Sequence, residues 1–252
     1  MGRMDPADFY TGIVAELYAP LKSGYEDPER YARFVLDSGE PALELGCGDG
    51  DPLLVLRSLG LDVEGVDSSA DMLERCRELA AVQGLDVTLH HQRMESLDLP
   101  HTYRSIFLAG PTFCLLPDDD TALAALRGIR SHLTEDGTAL VPLFVPSPTP
   151  PEAVGVPRET TREDGAVLRV GVVAEERDEH TRTQRSALRY ERVLDGASTV
   201  EERLWTIHWY TQDGFRALAS AAGLETVAVQ DEDGHHAAAD VDEFTFLLRP
   251  AR

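Results

Sequence analysis

The apolar positions of this chain change period several times, and those changes divide it into elements. Near the N-terminus, "DFYTGIVAELYAPL" and "DPERYARFVLDSG" space their apolar residues as two helices, with Pro28 suited to a helix start and Gly39 to a stop. "ALELG" is the short continuous run of a buried strand, and Pro52 opens a helix that runs to Leu59. "LDVEGVD" is a second strand ending in Asp67. In "SSADMLERCRELAAVQG", Ser68 or Ser69 caps a helix whose apolar stripe is Met72, Leu73, Cys76, Leu79 and Ala80, and Gly84 closes it. "DVTLHH" and "RSIFLAG" read as the third and fourth strands, "DDDTALAALRGIRSHLTEDG" as a helix and "TALVPLFVP" as a fifth strand.

Strict alternation of strand and helix predicts a parallel, doubly wound α/β sheet covered on both faces. The pattern breaks after Val145, where the proline-rich "PSPTPPEAVGVP" reads as a crossover or lid loop. From Ala166 to Tyr210 the runs alternate instead: "AVLRVGVVAEE", "TRTQRSALRYERVL" and "VEERLWTIHWY" are expected as antiparallel strands joined at "RDEH" and "DGAS". "TQDGFRALASAAG" returns to helical period, and "LETVAVQ" and "VDEFTFLLRP" close the chain as strands. The expected organisation is a helical cap over 1–40, the sheet core over 41–145, a loop and antiparallel β insertion over 146–210 serving as a substrate lid, and the last helix and strands over 211–252.

Charge narrows the partners. A formal net charge of −22 opposes nucleic acid and anionic membrane surfaces. No apolar run has the length of a membrane span and "MGRMDPADFY" lacks a leader's apolar stretch, so a cytoplasmic protein is expected. Cys47, Cys76 and Cys114 are too few and too scattered for a disulfide framework. Adjacent histidines at His90-His91 and His235-His236 point to opposite faces of an extended segment, so no metal site is expected. The oligomeric state, a homodimer included, is left open.

"ALELGCGDGDP" carries the chemistry. Gly46, Gly48 and Gly50 follow a buried strand and precede a helix, an arrangement in which backbone can approach a nucleotide. The G-x-G-x-G spacing departs from the G-x-G-x-x-G of dinucleotide-binding proteins, which disfavours a nicotinamide oxidoreductase. Asp67, ending the next strand, can accept both hydroxyls of a ribose, or cap the helix that follows.

"ALELGCGDG", "VEGVDSSADML" and "LTEDGTALV" together resemble class I S-adenosylmethionine-dependent methyltransferases, over roughly Pro41 to Val145 and more loosely over "YTQDGFRALASAAGLETV". The resemblance implies a Rossmann-like seven-stranded sheet with its last strand antiparallel. It implies that Gly46 and Gly48 approach the methionine end of S-adenosylmethionine with Glu44 beneath, that Asp67 holds the ribose, and that Ser68 and Met72 flank the adenine. Where the family often has an acid for the adenine amino group this chain has Arg93, beside Met94 and Glu95. Ala109 and Gly110, after the fourth strand, are expected near the methyl donor, and Thr112 and Phe113 toward the acceptor.

The helical cap and antiparallel insertion resemble those of small-molecule N-methyltransferases, the deoxyamino-sugar enzymes of antibiotic assembly above all. A small-molecule, secondary-metabolite-like acceptor methylated at nitrogen is therefore expected. A hydroxyl or carboxylate acceptor, and a cofactor-binding protein without turnover, are the alternatives. On the N-terminal segment Tyr18 is a catalytic candidate and Tyr25 a cofactor contact. In "WTIHWY" alternation puts Thr206, His208 and Tyr210 on one face, and His208 is the general-base candidate if that face looks into the pocket.

Overall fold

A computed structural model describes residues 9–21 and 27–251. Its chain order is α1 (Ile13–Leu21), α2 (Pro28–Ser38), β1 (Ala42–Leu45), α3 (Leu53–Ser58), β2 (Val63–Asp67), α4 (Ala70–Gln83), β3 (Leu89–His91), β4 (Tyr103–Phe107), α5 (Asp119–His132) and β5 (Leu133–Phe144). There follow β6 (Arg158–Thr161), β7 (Val167–Asp178), β8 (Thr183–Leu194), β9 (Ala197–His208), α6 (Gln212–Ala221), β10 (Leu224–Gln230) and β11 (Glu243–Pro250).

Local chemistry sets the helix ends. Asp27 accepts the Glu29 N–H at 3.0 Å ahead of Pro28, Ser69 Oγ accepts the Met72 N–H at 3.2 Å, and Asp118 accepts the Thr121 N–H at 2.8 Å. Gly84 ends α4 in the left-handed conformation, φ 67°. Leu79 of the predicted stripe is 43% exposed; Met72, Leu73, Cys76 and Ala80 form the buried face without it. The helix predicted to run through "LTEDG" stops at His132, because Leu133 turns to extended geometry (φ −81°, ψ 140°) and pairs with Tyr103.

The seven strands lie in the order β10-β11-β5-β4-β1-β2-β3, with β11 antiparallel to both β5 and β10 and the other pairs parallel. All of β1 is buried, as a central parallel strand requires. One face packs on α5 and α6 through Phe113, Ile129, Phe215 and Phe246; the other packs on α2, α3 and α4 through Tyr31, Leu53, Leu73 and Phe107. The antiparallel insertion forms its own sheet, β6-β7-β8-β9, whose first strand had no counterpart in the sequence reading. Against it lies α1, in a third cluster of Phe9, Val14, Leu17, Leu168, Val170 and Tyr190. Strand order reverses at β1, with β2 on one side and β4 on the other, which opens a crevice at their carboxyl ends. No helix among the described residues is long and apolar enough to cross a membrane.

Phe215 stands where the core meets the insertion, fully buried and in ring contact with Phe113, Tyr210 and Phe246. Phe215→Ala is expected to lower stability by about 3–5 kcal/mol. Urea unfolding checks this; a loss below about 1 kcal/mol would mean that the site collapses freely around the deletion.

Candidate functional site: two cavities that share a wall

The crevice at β1 holds a cavity of about 290 Å³. Its floor is the turn after β1. Gly46 has φ 75°, and a Cβ there would lie 2.5 Å from Thr112 Cγ2. Gly48 has φ 53°, and its N–H donates to Asp67 Oδ2 at 2.8 Å. Both positions need the left-handed freedom of glycine. The other carboxylate oxygen of Asp67 accepts the Ser69 N–H at 2.8 Å, so this one side chain joins the glycine turn to the start of α4. Burial lifts the Asp67 carboxyl above its ordinary range, against the pull of these backbone donors.

The walls combine Val66, Ser68 and Met72 with Gln92, Arg93, Met94 and Glu95, and the segment Leu115–Pro117 leads in from α5. Arg93 Nη1 and Glu95 Oε1 are 3.9 Å apart, so the non-acidic position has an acid beside it. Glu44 is fully buried beneath the turn and does not line the cavity. Ala109 is buried, and the Gly110 N–H is given to the Tyr31 hydroxyl at 3.0 Å; neither lines the cavity, whereas Thr112 does. Phe113 is buried in the core against Tyr210 and Phe215 and faces no acceptor space.

A second cavity, about 540 Å³, lies between α1 and the four-stranded sheet. Tyr10 and Tyr18 line both cavities, their rings edge to face with centroids 5.5 Å apart. Their segment is fastened to α4: Ser69 Oγ donates to the Tyr10 carbonyl at 2.6 Å, and the Gly12 N–H donates to Asp71 Oδ2 at 2.7 Å. Tyr10 was not singled out by sequence. The available signal was an aromatic pair, Phe9-Tyr10, just ahead of Gly12. Burial first, then Tyr18, Tyr190 and Asp67, push the Tyr10 phenol far above its ordinary range, so it stays protonated. Tyr25 lies outside the described residues.

His208 lines neither cavity. The face of β9 that opens on the larger one carries Trp205; the His208 face turns to α5. There its ring is buried, with Nδ1 2.8 Å from the Tyr210 hydroxyl and Nε2 3.5 Å from Asp119 and 3.4 Å from Arg182. Burial lowers its pKa, and Asp119 opposes that. His208 and Tyr210 are in contact, as a shared face would allow, but alternation cannot say which face of β9 turns to a cavity.

Three comparisons bear on this site. Residues 42–137 match the family described as "Methyltransferase domain". The chain is 29% identical over 205 residues to a cypemycin N-terminal methyltransferase from a Streptomyces species, covering 79% of this chain and 77% of that one. It is 25% identical over 233 residues to the dTDP-3-amino-3,6-dideoxy-alpha-D-glucopyranose N,N-dimethyltransferase of Streptomyces fradiae, covering 87% and 86%. The structure of the CcbJ methyltransferase from Streptomyces caelestis superposes with a TM-score of 0.79 at 25% identity, over 99% of this chain and 100% of that chain. The strand order with its antiparallel β11, the glycine turn after β1 and these likenesses agree: the protein is an S-adenosylmethionine-dependent methyltransferase with a methyltransferase domain over residues 42–137 and the seven-stranded fold of its class I neighbours.

Proposed function

We propose that the protein methylates an amine nitrogen of a small, secondary-metabolite-like acceptor, with S-adenosylmethionine in the smaller cavity and the acceptor in the larger. The observation that carries this reading is the shared wall: two cavities meet at Tyr10 and Tyr18, the junction that direct transfer between two ligands needs. The fit of the smaller cavity supports the cofactor half. Asp67 offers a carboxylate to ribose hydroxyls between apolar walls that include Met72 and Met94, and the positive-φ glycines leave the turn open to the methionine end. In this reading Gly46 and Gly48 face the methionine part with Glu44 beneath, Ser68 and Met72 flank the adenine, and Arg93 and Met94 edge it. S-adenosylmethionine supplies a sulfonium methyl that is already activated for displacement.

What remains for the chain is alignment and exclusion of water. Tyr10 and Tyr18 close the junction from the α1 side, and Trp205 closes it from β9. A hydroxyl acceptor would call for a general base there. Among the described residues the junction offers two tyrosines and a tryptophan, and the Tyr10 phenol is held protonated. A neutral amine needs no such base, which favours nitrogen over oxygen. One relative is named as the N,N-dimethyltransferase of a dTDP-linked amino sugar and another as an N-terminal methyltransferase, which supports nitrogen as the acceptor atom. Incubation with S-adenosylmethionine and a panel of amino sugars, short peptides and matched alcohols, read by mass spectrometry, tests the proposal. Methylated alcohols without methylated amines would overturn it.

Two expectations follow from the assigned roles. Asp67→Asn should weaken S-adenosylhomocysteine at least about tenfold by calorimetry, or about 1.4 kcal/mol. Ribose hydroxyls bind the ionised carboxylate, so protonation competes with the ligand. Wild-type affinity should be complete above the raised carboxyl pKa and fall as pH drops through it, and Asp67→Asn should remove that dependence. Tyr18→Ala should cut kcat about 10- to 100-fold while changing S-adenosylhomocysteine affinity little, since it loosens the junction rather than the ribose clasp. An equal loss in both would move Tyr18 into the cofactor site proper.

A further inference from the structure

The larger cavity is mostly apolar, with Phe9, Leu17, Val170, Leu188, Tyr190 and Trp205 on its walls, but a carboxylate reaches into it from β7. Strict alternation along β7 would not put it there. Val170 and Val172 line the cavity, so the following inward positions should be even-numbered. Between Val172 and Ala174 the register with β8 shifts by one residue, and Glu175 then pairs with Ser186. That bulge turns Glu175 inward and Ala174 out to solvent.

Glu175 is held firmly. Its Oε2 accepts from Thr149 Oγ1 at 2.7 Å, Ser186 Oγ at 2.9 Å and Gln184 Nε2 at 3.1 Å, and its Oε1 accepts the Thr149 N–H at 2.8 Å. Desolvation alone would raise its pKa. The Thr149 and Ser186 donors, with Arg177 nearby, outweigh that and hold the carboxyl below its ordinary range. The Arg177 guanidinium itself is directed elsewhere: it bonds Gln184 Oε1 at 2.9 Å, the Pro146 carbonyl and Glu179, and it stacks over Trp209 at 4.1 Å. An ionised carboxylate has about four acceptor positions, two on each oxygen. Among the described residues Oε1 takes one donor, so it keeps one position for a ligand in the cavity.

Glu175, Ser186 and Trp205 lie in one cross-strand row, and Trp205 adjoins Tyr10 at the junction. Two strand spacings separate the ends of that row, roughly 10 Å. Resting on the assignment of this cavity to the acceptor, we propose that Glu175 is its specificity-determining residue, taking a hydroxyl or ammonium group roughly 10 Å from the nitrogen to be methylated and turning away acceptors with an anionic group there. Its low affinity for protons makes it an anchor rather than a base. A fixed carboxylate in an apolar cavity discriminates by charge more strongly than the apolar walls discriminate by shape.

The test uses the full chain saturated with S-adenosylhomocysteine and four amines of matched length: hexylamine, hexamethylenediamine, aminohexanol and aminocaproate. Saturation-transfer NMR titrations read their affinities. Hexamethylenediamine and aminohexanol should bind about tenfold tighter than hexylamine, the usual worth of one hydrogen bond to a charged group, and aminocaproate should bind weakest. The diamine and the amino alcohol show whether charge or hydrogen bonding carries the preference. In Glu175→Gln the differences should shrink toward unity, with S-adenosylhomocysteine binding as the check that the variant is folded. Hexylamine binding as well as the others, aminocaproate binding best, or no amine binding at all would each overturn the proposal. If Glu175→Gln does not fold, the wild-type order alone decides. Failure to bind S-adenosylhomocysteine would instead count against the two-cavity reading itself.

Discussion

One carboxylate holds the cofactor half of this protein in shape. Asp67 sits where β2 ends, and its two oxygens take N–H groups from two different elements, Gly48 in the turn after β1 and Ser69 at the start of α4. The turn can come within reach only because residues 46 and 48 adopt positive φ, and Gly46 leaves no room for a Cβ against Thr112. The same N-terminus of α4 then fastens the N-terminal segment, since Ser69 Oγ holds the Tyr10 carbonyl and Asp71 holds the Gly12 N–H. Floor and cover of the smaller cavity are thus tied to each other through Asp67 and the first turn of α4. Burial raises the pKa of this carboxyl despite its two backbone donors, and the hydroxyls of a ribose diol are further donors of the right chemistry.

The second sheet adds what the core lacks. It buries α1 on one face, sends Ile207 and Tyr210 into the core, and is latched to α5 where Arg182 meets Asp119. Among the described residues, Tyr10 and Tyr18 line both the crevice and the space between α1 and this sheet. In the proposed reading the core with its glycine turn holds the donor, and choice of acceptor falls to β7, β8 and α1. A one-residue bulge is enough to give that surface a carboxylate, and a bulge is easily gained or lost without disturbing the rest of the ladder.

Much of this was legible in the residues because the signals are local. The helix start at Pro28, the cap at Ser69, the glycine at residue 84, and the apolar runs of β1 and β2 each fix their element without reference to the fold. The glycine spacing and Asp67 marked the cavity floor for the same reason. What was not legible depends on partners distant in sequence. The face that β9 turns inward is set by how its sheet docks on α5, so His208 went to the core side while Trp205 took the cavity. Gly110 is drawn off by the Tyr31 hydroxyl on α2, a contact across 79 residues. Glu175 escaped notice because a bulge breaks the alternation that strand reading relies on.

The division of labour between the two cavities can be checked in a crystal structure of the complex with S-adenosylhomocysteine. The nucleoside is expected in the smaller cavity, with both ribose hydroxyls on Asp67 and the sulfur directed at the wall formed by Tyr10 and Tyr18. A nucleoside lodged against the four-stranded sheet, or a sulfur pointing away from those two rings, would contradict it.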